Sequence, residues 1–168
     1  MIERIKDHPV LSQFLKDACS ENDIEVSIDP LIDPEDIVII SVDDFYNSLN
    51  IEHRPPSPDC LVLVRCEDGG FALTLVELKN IRNSQGFRLQ NMLAKYETCF
   101  NDFISQRFRE LLLIDYKKVY LYFVSGIELY RRDAGLKMDV LINTKFNYNG
   151  KRYGITPYMP SPTIRRCY

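Results

Sequence analysis

The chain has 168 residues, is 45% apolar and 27% charged, and carries a formal net charge of −3. That is the size and balance of one soluble globular domain with a substantial core. No apolar run approaches the ~20 residues of a membrane span, and residues 1–7 lack the basic-then-apolar layout of a secretory leader. A cytoplasmic protein with no membrane partner is therefore expected.

The acidic total argues against indiscriminate affinity for nucleic acid, but the charge is unevenly spread. Residues 1–78 hold 5 Lys and Arg against 17 Asp and Glu, whereas residues 79–168 hold 16 against 7. The second half supplies a basic face unless the fold interleaves the two halves. The five cysteines (Cys19, Cys60, Cys66, Cys99, Cys167) show no C-x-x-C spacing, and His8 and His53 are the only histidines. A zinc site is not expected, and an odd cysteine count fits a reducing compartment. Cys60, Cys66 and Cys99 fall in apolar segments and read as small buried side chains.

In chain order, a helix is predicted after Pro9, where Val10, Leu11, Phe14, Leu15 and Ala18 lie at helical spacing. Residues 24–28 alternate with period two and predict a short strand. A turn-rich connector follows, and residues 36–41 predict a buried β-branched strand. Asp43 or Asp44 starts a short helix reaching Leu49. Pro55, Pro56 and Pro58 make residues 50–58 irregular. Two apolar runs, 60–64 and 71–76, flank Glu67-Asp68-Gly69-Gly70 and predict a hairpin over 60–79.

The longest periodic segment runs from about 84 to 110. Leu89, Met92, Leu93, Tyr96, Phe100, Phe103, Ile104 and Phe108 recur every three or four positions, which marks a long amphipathic helix with its stripe in the core. Residues 119–124 predict a central strand and 139–142 another short one. Tyr148-Asn149-Gly150-Lys151 predicts a tight turn, and the proline-containing tail beyond Pro157 is expected to hug the surface or to be mobile. The sum is a single mixed α/β (α+β) domain over 1–168, a central sheet flanked by helices.

The residues that carry chemistry gather at one end of the predicted hairpin. Pro58-Asp59 leads its first strand and Glu77-Leu78-Lys79 ends its second. Asp59 and Glu77 face each other only if paired positions sum to 136, which sets Cys66 opposite Gly70. That register requires a three-residue turn, Glu67-Asp68-Gly69, or a nearby bulge, and adjacent glycines suit either. An even turn would face the carboxylates apart.

Converging carboxylates coexist by holding a proton or a divalent cation. Mg²⁺ is commonly held by one or two carboxylates with several waters, so Asp59 and Glu77 are candidate ligands and the Leu78 carbonyl a third. Lys79 shares the strand face of Glu77, where its ammonium would orient a water or stabilise developing negative charge. The plainer account is that an Asp after Pro is turn chemistry and Glu-x-Lys at a strand end is a solvated edge.

The arrangement resembles the PD-(D/E)XK nuclease family over roughly residues 36–124: strand, Asp-led strand, Glu-x-Lys strand, long helix, strand. The resemblance implies a restriction endonuclease-like αβββαβ core, shared with Holliday junction resolvases and RecB-type exonucleases. It also implies a Mg²⁺- or Mn²⁺-dependent hydrolase of DNA phosphodiester bonds, with Asp59 and Glu77 on the metal and Lys79 assisting catalysis. Gln90, followed by Tyr96, is similar to the RecB-type glutamine-then-tyrosine spacing, with Gln85 as a substitute. An added acidic ligand from the first helix would be Asp17 or Glu21.

DNA is the implied partner, and a homodimer or a larger nuclease complex the implied assembly. The chain departs from the family in having no companion DNA-binding domain, helix-turn-helix or Arg-rich tract, and residues 42–58 are insertion-like. Phosphate contacts would fall to Arg82, Arg88, Arg107, Arg109, Arg131 and Arg132. The alternatives are a non-catalytic scaffold or interaction subunit of the same fold, and an unrelated α/β interaction protein.

Overall fold

The computed structural model describes residues 1–79, 88–126, 134–158 and 161–168, with residues 134–138 as backbone alone. Helix α1 (Ile2–Lys6) and a 3-10 turn (Leu11–Phe14) precede β1 (Leu15–Lys16), β2 (Cys19–Glu21), β3 (Ile24–Ile28), β4 (Ile37–Ser41) and helix α2 (Val42–Ser48). The hairpin strands are β5 (Cys60–Arg65) and β6 (Phe71–Lys79). Helix α3 (Leu89–Thr98) runs on through π-helical winding over Cys99–Arg107 into α4 (Arg109–Leu112). β7 (Lys118–Ser125), α5 (Ala134–Asn143), β8 (Lys145–Tyr148), β9 (Lys151–Tyr158) and β10 (Thr163–Ile164) complete the chain.

Seven strands form one mixed sheet in the order β1-β4-β5-β6-β7-β9-β8. Pairing is antiparallel from β1 to β6, parallel at β6–β7 and β7–β9, and antiparallel at β9–β8. A parallel step needs a long crossover, and the α3–α4 segment lies on the one between β6 and β7. A second, three-stranded sheet has the order β10-β3-β2.

Period-two alternation sends the two sets of side chains in β5 and β6 to opposite faces. Leu61, Leu63, Leu73 and Leu75 meet α1, α2, α3 and the π-helical stretch through Ile5, Phe45, Tyr96 and Phe103. Val62, Val64, Val76 and Leu78 meet the small sheet through Cys19, Ile24, Val26 and Ile164. With both faces covered, these strands read as unbroken apolar runs. On the helix side Phe103 is fully buried, with its ring edge-to-face against Phe45 at 5.2 Å and Phe108 at 4.8 Å.

The turn that decides the hairpin register is the odd one. Cys60 pairs with Val76 and Arg65 with Phe71, Cys66 N donates to Gly70 O at 2.8 Å, and Gly69 N donates to Cys66 O at 2.9 Å. Gly69 holds φ +84°, the left-handed residue that closes a three-residue hairpin loop. Asn149 and Gly150, at φ 49° and 73°, form the two-residue turn between β8 and β9, as their sequence predicts.

Five expectations are corrected. The helix after Pro9 is a single 3-10 turn, because Leu15 and Lys16 pair with Ile40 and Ile39 at the sheet edge; Val10 N and Leu11 N both donate to His8 Nδ1 at 3.2 Å. Residues 139–142 belong to helix α5, where Leu141 is buried and Val140 and Ile142 are exposed. The tail is tied down: β10 pairs in parallel with β3, and Cys167 bonds Cys66.

The cysteines supply the fourth correction. Cys60 and Cys66 are buried but are not thiols, since Cys19–Cys60 and Cys66–Cys167 are disulfides, and Cys99 alone is free and buried. Disulfides persist in oxidising compartments, so the cysteine count no longer favours a cytoplasmic setting. Among the described residues no helix is long and apolar enough to cross a membrane. Helix α2 is capped by Ser41 rather than started by Asp43 or Asp44, with Ser41 Oγ accepting from Asp44 N at 3.3 Å. The predicted start of the long helix, residues 84–87, lies outside the described residues.

Candidate functional site

The candidate site lies where β5 begins and β6 ends. Asp59 immediately precedes β5 and is fixed at its main chain: its carbonyl accepts from Val42 N at 3.1 Å, joining it to the first turn of α2. The proline-rich segment before it is pinned too, with Ser57 Oγ donating to Asp43 Oδ1 at 3.0 Å. Extending the β5–β6 register by one pair places Asp59 opposite Glu77. Asp59 Oδ2 accepts from Leu78 N at 2.7 Å. The N–H and C=O of one strand residue point to the same side, so the Leu78 carbonyl faces the same flank of β6.

Glu77 is buried, at 3% exposure. Its partner is Lys95 of α3, whose Nζ donates to Oε1 at 2.6 Å and Oε2 at 2.8 Å. Burial first, and then the charge of Asp59, push the Glu77 carboxyl up to about 8, against the pull of Lys95 and Lys79. Burial likewise raises Asp59, with Glu21 and Asp43 adding to it and the Leu78 N–H and Lys95 opposing. Burial works against the Lys95 ammonium, but the charge and hydrogen bonds of Glu77 outweigh it and hold the pKa up.

Lys79, half-buried, pairs across β6–β7 with Ser125. Ser125 is fully buried, and its Oγ has no hydrogen-bond partner among the described residues. Parallel pairing puts its side chain on the Glu77 and Lys79 face, one strand over. On the other flank of Asp59 a cavity of about 350 Å³ is lined by Glu21, Asp43, Asp44 and Lys16, with Lys16 Nζ 2.8 Å from Asp44. Among the described residues no three His, Cys, Asp or Glu side chains are grouped to hold a metal by themselves.

The predicted residues thus divide. Asp59, Glu77, Leu78 and Lys79 occupy adjoining places, and the register that their convergence requires is the one observed. Gln90 is exposed in the first turn of α3; the α3 side chain that reaches Glu77 is Lys95. Tyr96 is buried, its hydroxyl donating to Tyr122 O at 3.0 Å. Glu21 reaches the Asp59 cavity from strand β2, and Asp17 is exposed between β1 and β2, so neither comes from a helix.

Arg107 is engaged elsewhere, with Nε 2.6 Å from Asp102 and its guanidinium over the Phe45 and Tyr46 rings. Arg88 and Arg109 are exposed, while Gln85, Arg82, Arg131 and Arg132 lie outside the described residues.

Lys95 and Ser125 are the site residues that sequence reasoning missed. Lys95 carries a signal: it lies three residues after Met92 and four before Cys99, both buried, so it sits on the apolar stripe of α3, where an ammonium needs a partner. No protein-family profile, curated protein or solved structure matches this chain.

Proposed function

We propose that this chain is a divalent-metal-dependent nuclease of the PD-(D/E)XK type, with β4, β5, β6, the α3–α4 crossover and β7 as its restriction endonuclease-like core. The observation that carries the proposal is the three-residue turn at Glu67-Asp68-Gly69, which sets Asp59 opposite Glu77 with Lys79 on the same face. The donors suit the ion: two carboxylates and a main-chain carbonyl are an all-oxygen set that Mg²⁺ or Mn²⁺ accepts while keeping water ligands. Both carboxyl groups have raised pKa values, chiefly from burial and with neighbouring carboxylates adding to it, a cost to their ionised forms that a bound cation relieves. The buried Ser125 hydroxyl is a further polar group, without a hydrogen-bond partner among the described residues.

Asp59, Glu77 and the Leu78 carbonyl would hold the ion, which supplies charge neutralisation and a water nucleophilic at neutral pH. The protein's own contribution is positional. Leu78 N–H fixes the Asp59 carboxylate, Lys95 neutralises Glu77 from the helix side, and Lys79 offers a cation to a phosphate oxygen. Ser125 Oγ, beside Lys79, offers a hydroxyl donor.

A cleavage assay on plasmid, linear and branched DNA in Mg²⁺ or Mn²⁺ tests the proposal. Lys79→Ala and Asp59→Asn should each lower the rate by about 10²-fold or more. Wild-type activity in both variants, or no cleavage of any substrate, overturns it. One observation favours the non-catalytic scaffold as a second reading: Lys95 already occupies both oxygens of Glu77. On that reading Mg²⁺ neither binds nor stabilises the protein.

A further inference from the structure

The sheet face opposite Glu77 carries a cavity of about 380 Å³, within the ordinary range for small-molecule sites. Its walls differ from those beside Asp59. Tyr120, Tyr122 and Tyr158 line it, together with Lys118, Arg165 and Arg166, and among the described residues no carboxylate does. In a chain with a net charge of −3, a cavity with three cations and no acid is a local reversal of sign.

The tyrosines form a continuous aromatic wall. Tyr120 and Tyr122 have ring centroids 6.0 Å apart, and Tyr122 and Tyr158 are edge-to-face at 4.6 Å. Tyr122 is nearly buried, whereas Tyr120 is 39% exposed and presents ring surface to the cavity. Among the cations, Arg166 is engaged by Glu67 at 3.0 Å. Arg165 and Lys118 have no ion-pair partner among the described residues. Arg165 is near enough to Tyr122 to oppose electrostatically the rise that burial imposes on its hydroxyl.

The backbone carrying these arginines is held on both sides. Ile164 O accepts from Asp29 N at 3.0 Å where β10 joins β3, and Cys167 O accepts from Glu67 N at 3.1 Å beside the Cys66–Cys167 disulfide. Arg165 is therefore presented from a segment fixed at either end, which lowers the entropy lost on binding.

We propose that this cavity is a nucleotide-binding site, in which the Tyr120 ring stacks on a base and Arg165 with Lys118 holds the phosphate. Aromatic rings on a sheet face with flanking cations recognise bases through their π faces and phosphates through charge, and each half of that pairing is present here. The ligand chemistry is a base with its 5′-phosphate, whether from a free nucleotide or from a single-stranded nucleic acid. The site lies across the sheet from Glu77 and Lys79 and stands or falls independently of the nuclease proposal.

The test uses the full chain with its disulfides intact, in EDTA and near-physiological salt. Two probes are titrated: AMP by calorimetry, and a short labelled single-stranded oligodeoxythymidylate by fluorescence anisotropy. Saturable binding of at least one is expected, and Tyr120→Ala and Arg165→Ala should each weaken it about fivefold or more. Arg4→Ala, an exposed cation on the helix face of the sheet, should leave it unchanged. Binding of AMP identifies a free-nucleotide site, and binding of the oligonucleotide alone identifies a single-strand site.

Tyr120 and Arg165 are exposed, and circular dichroism checks that the variants keep the fold. Three outcomes overturn the proposal: neither probe binds, Tyr120→Ala binds as wild type, or Arg4→Ala weakens binding as much as Arg165→Ala.

Discussion

Replacing Glu77 by glutamine probes the electrostatics of the site directly. Glu77 is 3% exposed, and burial with the charge of Asp59 raises its carboxyl from 4.5 to about 8 despite Lys95. A folded state with the higher pKa binds the proton more tightly than the unfolded chain. The resulting stability is fully present below pH ~4.5 and is lost as pH rises toward 8. At about 1.4 kcal/mol per pKa unit, the whole interval is worth about 5 kcal/mol, a ceiling that relaxation around the buried charge lowers to about 2–4.

Glutamine keeps the shape and an oxygen acceptor for Lys95 Nζ but never ionises. Glu77→Gln should match wild type at pH 4–5 and exceed its stability by about 2–4 kcal/mol at pH 8–9, roughly 5–15 °C in Tm for a chain of this size. Calorimetry or urea unfolding across that range reads the difference. Mg²⁺ near one hundred times its Kd should raise wild type by about 3 kcal/mol and the variant by much less. A variant less stable than wild type at pH 8–9, with the gap closing by pH 5, would refute the reasoning. It would mean that the Lys95 attraction outweighs burial and that the Glu77 carboxyl sits low.

Three further outcomes are expected. The Cys66–Cys167 bridge spans 101 residues and Cys19–Cys60 spans 41, so removing the first by paired serines should cost about 5 kcal/mol and removing the second about 4, by urea unfolding; five reactive thiols in the unreduced, denatured protein would contradict both. Gly69→Ala should cost about 1 kcal/mol, because φ is +84° while a Cβ there meets open space; a loss above about 3 kcal/mol would mean that the turn itself had changed. Phe103→Ala, emptying a fully buried ring position, should cost about 3–5 kcal/mol, and a loss under 1 would show that the helix layer repacks freely.

The parts of the fold legible in the sequence are those set by local chemistry. One pairing brings Asp59 opposite Glu77, and two adjacent glycines make its odd turn available, so the sequence narrows the β5–β6 register to two alternatives and the turn at Gly69 selects the odd one. Asn149-Gly150 specifies its turn for the same reason. The illegible parts depend on long-range packing. Leu15 and Lys16 leave a helical pattern because the edge of β4 offers hydrogen bonds, and Val140-Leu141-Ile142 is too short an apolar run to separate strand from helix. The disulfides join residues 41 and 101 positions apart, a connectivity that spacing does not specify. Charge asymmetry between the halves is legible, but its effect is not: Lys95–Glu77, Lys117–Asp68 and Arg166–Glu67 cancel part of it between the two halves, and the cationic cavity around Arg165 is left over.

Lys95 separates the catalytic from the structural account of the carboxylates. Its ammonium sits on both oxygens of Glu77, where a divalent ion would also draw charge, and it reaches there on a flexible four-carbon stem. If the ion uses the Glu77 oxygens that Lys95 holds, the two cations compete, and Lys95→Met should tighten Mg²⁺ binding by about tenfold, one pKa unit's worth of relieved competition. If Lys95 stays in place and neutralises charge at the reacting phosphate, Lys95→Met should leave Mg²⁺ affinity unchanged and lower DNA cleavage by about 10²-fold. A structural pair makes a third demand: Lys95→Met should destabilise the protein at pH 8–9, where Glu77 is ionised, and far less at pH 5, where it is protonated. Calorimetric Mg²⁺ titration, cleavage rates and unfolding at the two pH values distinguish all three. A variant unchanged in every measurement would remove Lys95 from the site, and with it the main pull that opposes burial and Asp59 at the Glu77 carboxyl.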